Sequence, residues 1–184
     1  MAATVRERMV LGAAQLLSRA GLSEASFGKV VALTGAPRGS IYHHFPGGKD
    51  ELVAEAVRTV GGRLVEALRR TPVQGPDDVV VAFAGLFRRV LTASDNRAGC
   101  AVAAVVAEAP RDSAPAGAAA GVLRAWRAEL ESLFGAAGVP AGRRAALALV
   151  TLAGVEGALV LARADGDVAP FDTAVEELVR LVTA

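Results

Sequence analysis

Residues 35–52 read GAPRGSIYHHFPGGKDEL, and these eighteen positions decide the fold. Two Pro, four Gly, two His, a Tyr, an Arg and a Lys crowd into a chain otherwise dominated by Ala, Val and Leu. Pro37 suits the first turn of a helix, because its missing N–H would be unpaired there anyway. The helix it opens must be short, since Pro46-Gly47-Gly48 cannot continue it. Ile41 and Phe45, four apart, give it one buried side. The next helix starts near Lys49 and runs on through LVAEAVRTVGGRLVEALRR.

Upstream, Val5, Met9, Ala13, Leu16, Leu17 and Ala20 keep the spacing of a single apolar helix face, which predicts a helix over about 4–20. Gly21 stands where a left-handed stop would. Ser26 caps a second, short helix that carries Val30, Val31 and Leu33 inward, and Gly35 ends it. Downstream of the punctuated stretch TPVQGP, helices are expected at roughly 77–94, 100–109, 113–136, 140–163 and 171–183. Ser94-Asp95-Asn96, Pro110 and Gly138-Val139-Pro140 separate them. No alternating run is long enough for a sheet, so the expectation is an all-α chain of about nine helices.

A chain of 184 residues is the size of one large domain, or of a small domain fused to a larger one. At 53% apolar residues it is not disordered. The opening MAATVRERMVLG lacks the basic-then-apolar layout of a secretory leader. The single cysteine, Cys100, has no internal disulfide partner, so a reducing cytoplasm is expected. Net charge is only +1, yet residues 1–70 hold 10 Lys and Arg against 6 Asp and Glu, and both lysines, Lys29 and Lys49, lie there. That basic bias permits a polyanion partner.

Two short helices joined by a tight turn at Thr34-Gly35-Ala36, with a longer helix before them, describe a helix-turn-helix. Its second helix would lie in the major groove of double-stranded DNA with its first residues toward base edges. Arg38 is placed to pair with a guanine edge. Gly39 lets the backbone approach, and Ser40, Tyr42 and His43 reach phosphates or bases without adding negative charge. Lys29 and Lys49 supply positive charge beside them. Gly48 and Lys49 open the fourth helix, where unpaired N–H groups favour a phosphate. His43 and His44 point about 100° apart on a helix and have no ligand-spaced Cys or carboxylate, so no metal is expected. A phosphate-loop reading of GGKD fails, because His43 and Asp50 stand where Gly and Ser or Thr are needed.

The stretch GAPRGSIYHHFPGGKDELVAEAV resembles the DNA-binding segment of the TetR family of transcriptional repressors. RGSIYHHFPGGKDEL with the later NRAGCAVAAVVAEAP and EGALVLARADG resembles the family's LmrA/YxaF-like branch. The resemblance implies an N-terminal three-helix DNA-binding head, residues 1–48, and a connecting helix with a ligand-binding and dimerisation body, residues 49–184. It implies a homodimer that represses from a palindromic operator and is released by a small-molecule effector. It places Tyr42 and Lys49 on phosphates and Arg38, Ser40 and His43 in the groove; no cofactor is expected. One departure stands out: many members have Ser where this chain has Pro37, so a capping hydroxyl is missing.

In the body, residues 145–162 are 18 long with one charge, enough for a membrane span. Glu156 in their middle and Arg143, Arg144 and Arg163 at their ends argue for a helix buried in protein. Ala153, Gly154 and Gly157 would let another helix approach, and with Leu161, Leu178 and Leu181 they form the expected dimer seam. A carboxylate within such a stripe needs a partner or a proton, which makes Glu156 either a structural hydrogen-bonding group or a ligand contact. Phe83, Phe87 and Trp126 are core residues first and candidates to line an apolar pocket second. Cys100, at the start of a short apolar helix, joins them on the same terms. Two other classes stay open: a helical enzyme, although the body has no His, and an interaction module that keeps the head as scaffold.

Overall fold

The computed structural model describes residues 3–37, 39 and 41–184. Among the described residues there is no strand, and the helices run α1 (Val5–Ala20), α2 (Phe27–Thr34), α3 (Ile41–His44), α4 (Gly48–Arg69), α5 (Pro76–Ala93), α6 (Ala101–Glu108), α7 (Ala114–Ala136), α8 (Ala141–Asp165) and α9 (Ala169–Thr183). The all-α architecture read from the sequence holds. The helix expected at about 113–136 is α7, which begins at Ala114 despite the Ala- and Gly-rich composition of 114–121.

α1 begins with reciprocal capping: Thr4 Oγ1 accepts from the Glu7 amide and the Glu7 carboxylate accepts from the Thr4 amide, satisfying two of the donors a helix start leaves open. Ser26 caps α2 by accepting from the Lys29 amide at 3.4 Å, and Gly35 ends it in the left-handed conformation with φ 65°. Gly21 has the positive φ foreseen for it, 84°, but its ψ of −176° takes the chain out extended rather than into a helical turn. On α2 only Val30 is fully enclosed; Leu33 is 46% exposed. The crossing with α1 is so close that a Cβ on Gly12 would meet Thr34 Cγ2. Thr34 therefore occupies the contact, and Leu33 is left at its edge.

Contacts divide the chain into two compact units. One contains residues up to Gly62 together with Cys100–Leu123; the other contains Arg63–Gly99 and Arg124–Ala184. The first is built on α1, which packs against both α2 and α6. Its core includes Met9, Leu17, Val30, Ile41, Phe45 and Leu52. Arg6 joins three elements there: its guanidinium lies 4.9 Å from the Phe45 ring centroid, pairs with Glu55, and stands 3.7 Å from Glu51.

The second unit is held by packing among α5, α8 and α9. Phe83, Phe87 and Trp126 form an edge-to-face triad with centroids 5.2, 6.2 and 5.9 Å apart. Arg88 clasps Asp172 with two parallel hydrogen bonds of 2.8 and 2.9 Å. Between α5 and α6 the chain turns through two consecutive left-handed residues, Asp95 and Asn96. Asn96 Nδ2 donates to the Gly166 carbonyl at the end of α8, which accounts for an Asn in NRAGC.

Candidate nucleic-acid interface

Geometry turns the 35–52 stretch into a presented surface. Gly35 closes α2 and Ala36 is buried. Ile41 and Phe45 then anchor α3 into the core of the first unit, Phe45 with no exposed surface at all. Because those two face inward, Tyr42 and His43 face out, and Tyr42 is 70% exposed. Its phenol is not loose: the Phe27 ring meets it edge to face, centroids 5.6 Å apart and planes at 85°. Pro37, Gly39 and Lys29 are exposed as well. Arg38 and Ser40, the other expected groove contacts, lie outside the described residues. The described α-helical turn is Ile41–His44; the expected start at Pro37 is separated from it by Arg38 and Ser40, outside the described residues.

Lys29 and Lys49 are placed differently from the simple picture of two free cations. Lys29 pairs with Glu24 across the α1–α2 loop. Lys49 Nζ donates to the Leu22 carbonyl at 2.8 Å and is half-buried. Just before and at the start of α4, the Gly47 amide donates to Glu51 Oε2 at 2.7 Å and the Gly48 amide to the Phe45 carbonyl at 3.0 Å. The sequence pattern GGKDEL shows the open N–H groups, but it does not show that the Glu four residues on folds back to take one.

The body residues fall into distinct groups. Phe83, Phe87 and Trp126 are together, and Trp126 is 2% exposed. Glu156 is half-buried on α8 rather than sunk in it. Cys100 caps α6, its Sγ accepting from the Ala103 amide at 3.4 Å. α8 is long and apolar enough to cross a membrane by length and composition; here its apolar residues divide between a buried face, with Leu147, Leu152, Val155 and Leu159, and an exposed one. The exposed face carries Leu149, Val150, Ala153, Gly157, Val160 and Leu161, and Leu181 of α9 is exposed too. Gly154 and Leu178, expected on the same seam, are used inside the subunit: a Cβ on Gly154 would lie 2.8 Å from Leu178 Cδ1, and Leu178 is buried. The small residue there seats the chain's own α9.

Among the described residues no three of His, Cys, Asp or Glu gather to hold a metal ion. Two contacts were not legible in the sequence. Arg6 on Phe45 links positions 39 apart, and Glu108 on the Leu22 and Ser23 amides links positions 86 and 85 apart. Neither spacing has a local pattern to betray it.

Comparison with known proteins agrees with this geometry. Residues 10–56 match the bacterial regulatory proteins of the tetR family, and residues 76–177 match the C-terminal domain of LmrA/YxaF-like transcriptional regulators. An HTH-type transcriptional regulator of Mycobacterium tuberculosis is 36% identical over 185 residues, covering 97% of this chain and 94% of its own. The HTH-type regulator YxaF of Bacillus subtilis is 35% identical over 91 residues, half of this chain and 47% of its own. Among solved structures, a TetR transcriptional regulator from Legionella pneumophila superposes with a TM-score of 0.84 at 18% identity, covering 98% of both chains. The regulatory protein TetR from Rhodobacter sphaeroides gives 0.83 at 23%, covering 97% of this chain and 98% of its own. At those identities the structural likeness speaks for the fold.

Proposed function

The chain belongs to the TetR family of bacterial transcriptional regulators, in its LmrA/YxaF-like branch, and from that premise we propose a homodimeric repressor that reads a palindromic operator and leaves it when a small apolar effector binds. The observation that carries the reading is α3 itself. Ile41 and Phe45 are buried, so Tyr42 and His43 are presented outward on a rigid support, the arrangement a major-groove helix needs. Tyr42 takes a phosphate, His43 reaches the groove with Arg38 and Ser40, and Pro37 and Gly39 let the backbone come close. Lys29 adds positive charge at the edge of this surface. Lys49 serves from within, holding the loop before α2.

The exposed apolar face of α8 suits a second copy of the same chain, with Ala153, Gly157 and Leu161 on it and Leu181 beside it in the proposed seam. Two heads on one axis then address half-sites about one helical turn, ~34 Å, apart. An effector pocket would draw on Phe83, Phe87 and Trp126, with Glu156 as its polar candidate. A ligand favouring a body conformation with the wrong head spacing depopulates the DNA-bound state. We assign the chain to the cytoplasm and to regulation, with no catalytic role, no metal and no membrane partner.

Selecting duplexes from a random library with the purified protein tests this. Enrichment of a palindrome, weakened by Arg38→Ala and by Tyr42→Phe, is the expected result. Binding that enriches no sequence and only falls steeply with salt would be phosphate contact alone, and the interaction-module reading would take its place.

A further inference from the structure

We infer that Glu108, at the end of α6, is a positioning residue for DNA recognition: its carboxylate grips the α1–α2 loop and so sets where α2 and the exposed face of α3 stand. The inference rests on the DNA-reading function proposed above. Glu108 Oε2 accepts from the backbone amides of Leu22, at 3.0 Å, and Ser23, at 3.3 Å. The carbonyl of the same Leu22 accepts from Lys49 Nζ at 2.8 Å. One residue of the loop is thus held from both sides, its N–H by α6 and its C=O by α4.

The sequence is adapted to the grip at two points. Gly21 has φ 84°, and a Cβ there would collide with Glu108 Oε1, so only glycine lets the carboxylate come down on the loop. Glu108 itself breaks a local rule, since an acidic side chain in the last turn of a helix faces the negative end of the helix dipole. α6 has no basic residue in that turn to offset it. The compensating contact is the pair of amides, and such a breach is the kind that marks a functional position.

From the grip to the DNA-facing side chain the path is short. Ser26, three residues beyond Ser23, caps α2. Phe27 is the first residue of α2, and its ring is the one that orients Tyr42. A loop released from Glu108 moves the start of α2, and with it the support of Tyr42. The contact is at the surface, where water competes for the amides, so its loss loosens the head without unfolding it.

The test uses the full-length protein, its Glu108→Ala and Glu108→Gln variants, the duplex selected by the wild type, and a set of palindromes with varied central spacing. In Glu108→Ala the amides of Leu22 and Ser23 exchange faster with solvent, affinity falls about three- to tenfold, as expected for one or two hydrogen bonds, and spacing preference broadens. Glu108→Gln, whose neutral oxygen still accepts, stays near wild type. Spacing preference is the readout a purely structural contact would not move. The inference is overturned if Glu108→Ala keeps wild-type affinity and spacing preference, if its loss only follows a lowered melting temperature, or if Glu108→Gln is as impaired as Glu108→Ala. A wild type that selects no duplex at all removes the DNA-reading function instead, and this role with it.

Discussion

Phe27 and Tyr42 meet edge to face, 5.6 Å between ring centroids, so the exposed tyrosine of α3 is steered by the first residue of α2. Such pairs contribute about 0.5–1.5 kcal/mol beyond their buried area. Phe27→Leu is expected to weaken binding to the selected duplex about three- to tenfold and to make a further Tyr42→Ala change nearly silent. Fluorescence anisotropy of the two single variants and the double variant measures that coupling, and full additivity would show that the rings act independently.

The aromatic triad of the second unit has a built-in reporter, since Trp126 is the chain's one tryptophan. Trp126→Ala removes a side chain packed against both Phe83 and Phe87 and should cost about 3–5 kcal/mol of stability, read by denaturant unfolding. In the wild type, an apolar effector that enters beside the triad should shift Trp126 emission. Compounds that relieve DNA binding without changing that emission would place the effector elsewhere.

Changes at Gly154 and Leu161 should separate subunit stability from assembly. Gly154→Ala pushes a methyl into Leu178 and should lower stability by about 1–3 kcal/mol in the isolated subunit. Leu161→Glu puts a charge on the exposed face of α8 and should yield a folded monomer that no longer binds a palindrome. Sedimentation and circular dichroism on both variants decide it; a dimeric Leu161→Glu protein would move the seam off this face.

Hydrogen bonds from Arg88 hold the Asp172 carboxyl below the usual range for an aspartate, about 3.9. A carboxyl whose pKa is lower folded than unfolded adds stability above the unfolded value and loses it as pH falls through the folded one. Asp172→Asn should therefore melt lower than wild type at neutral pH, with the gap closing below about pH 4. Both side chains are partly solvent-exposed, so the difference should also shrink in high salt. A gap that persists at pH 2.5 would assign the effect to packing.

Most of the helices were legible because their boundaries are chemical: Ser26, Gly35, Pro76 and Pro140 announce themselves at any distance from the core. The outward set on α3 was legible for the same reason, since placing Ile41 and Phe45 inside leaves Tyr42 and His43 outside. What escaped depends on contacts between positions remote in sequence. Nothing in the sequence places Lys49 against the loop carrying Leu22, and Leu178 reads as seam until Gly154 is found to seat it. Leu33, apolar on an amphipathic helix, was displaced by the close approach of Gly12 and Thr34, a property of the crossing rather than of either helix.

In the proposed dimer, the solvent-facing stripe on α8 would make copy number a variable of control. Two chains covering each other's stripe would reach DNA as one body, so while chains are scarce, operator occupancy would climb with the square of their concentration. Near that threshold, halving the chain count quarters the occupancy. The switch would then answer to synthesis and dilution as well as to any small molecule.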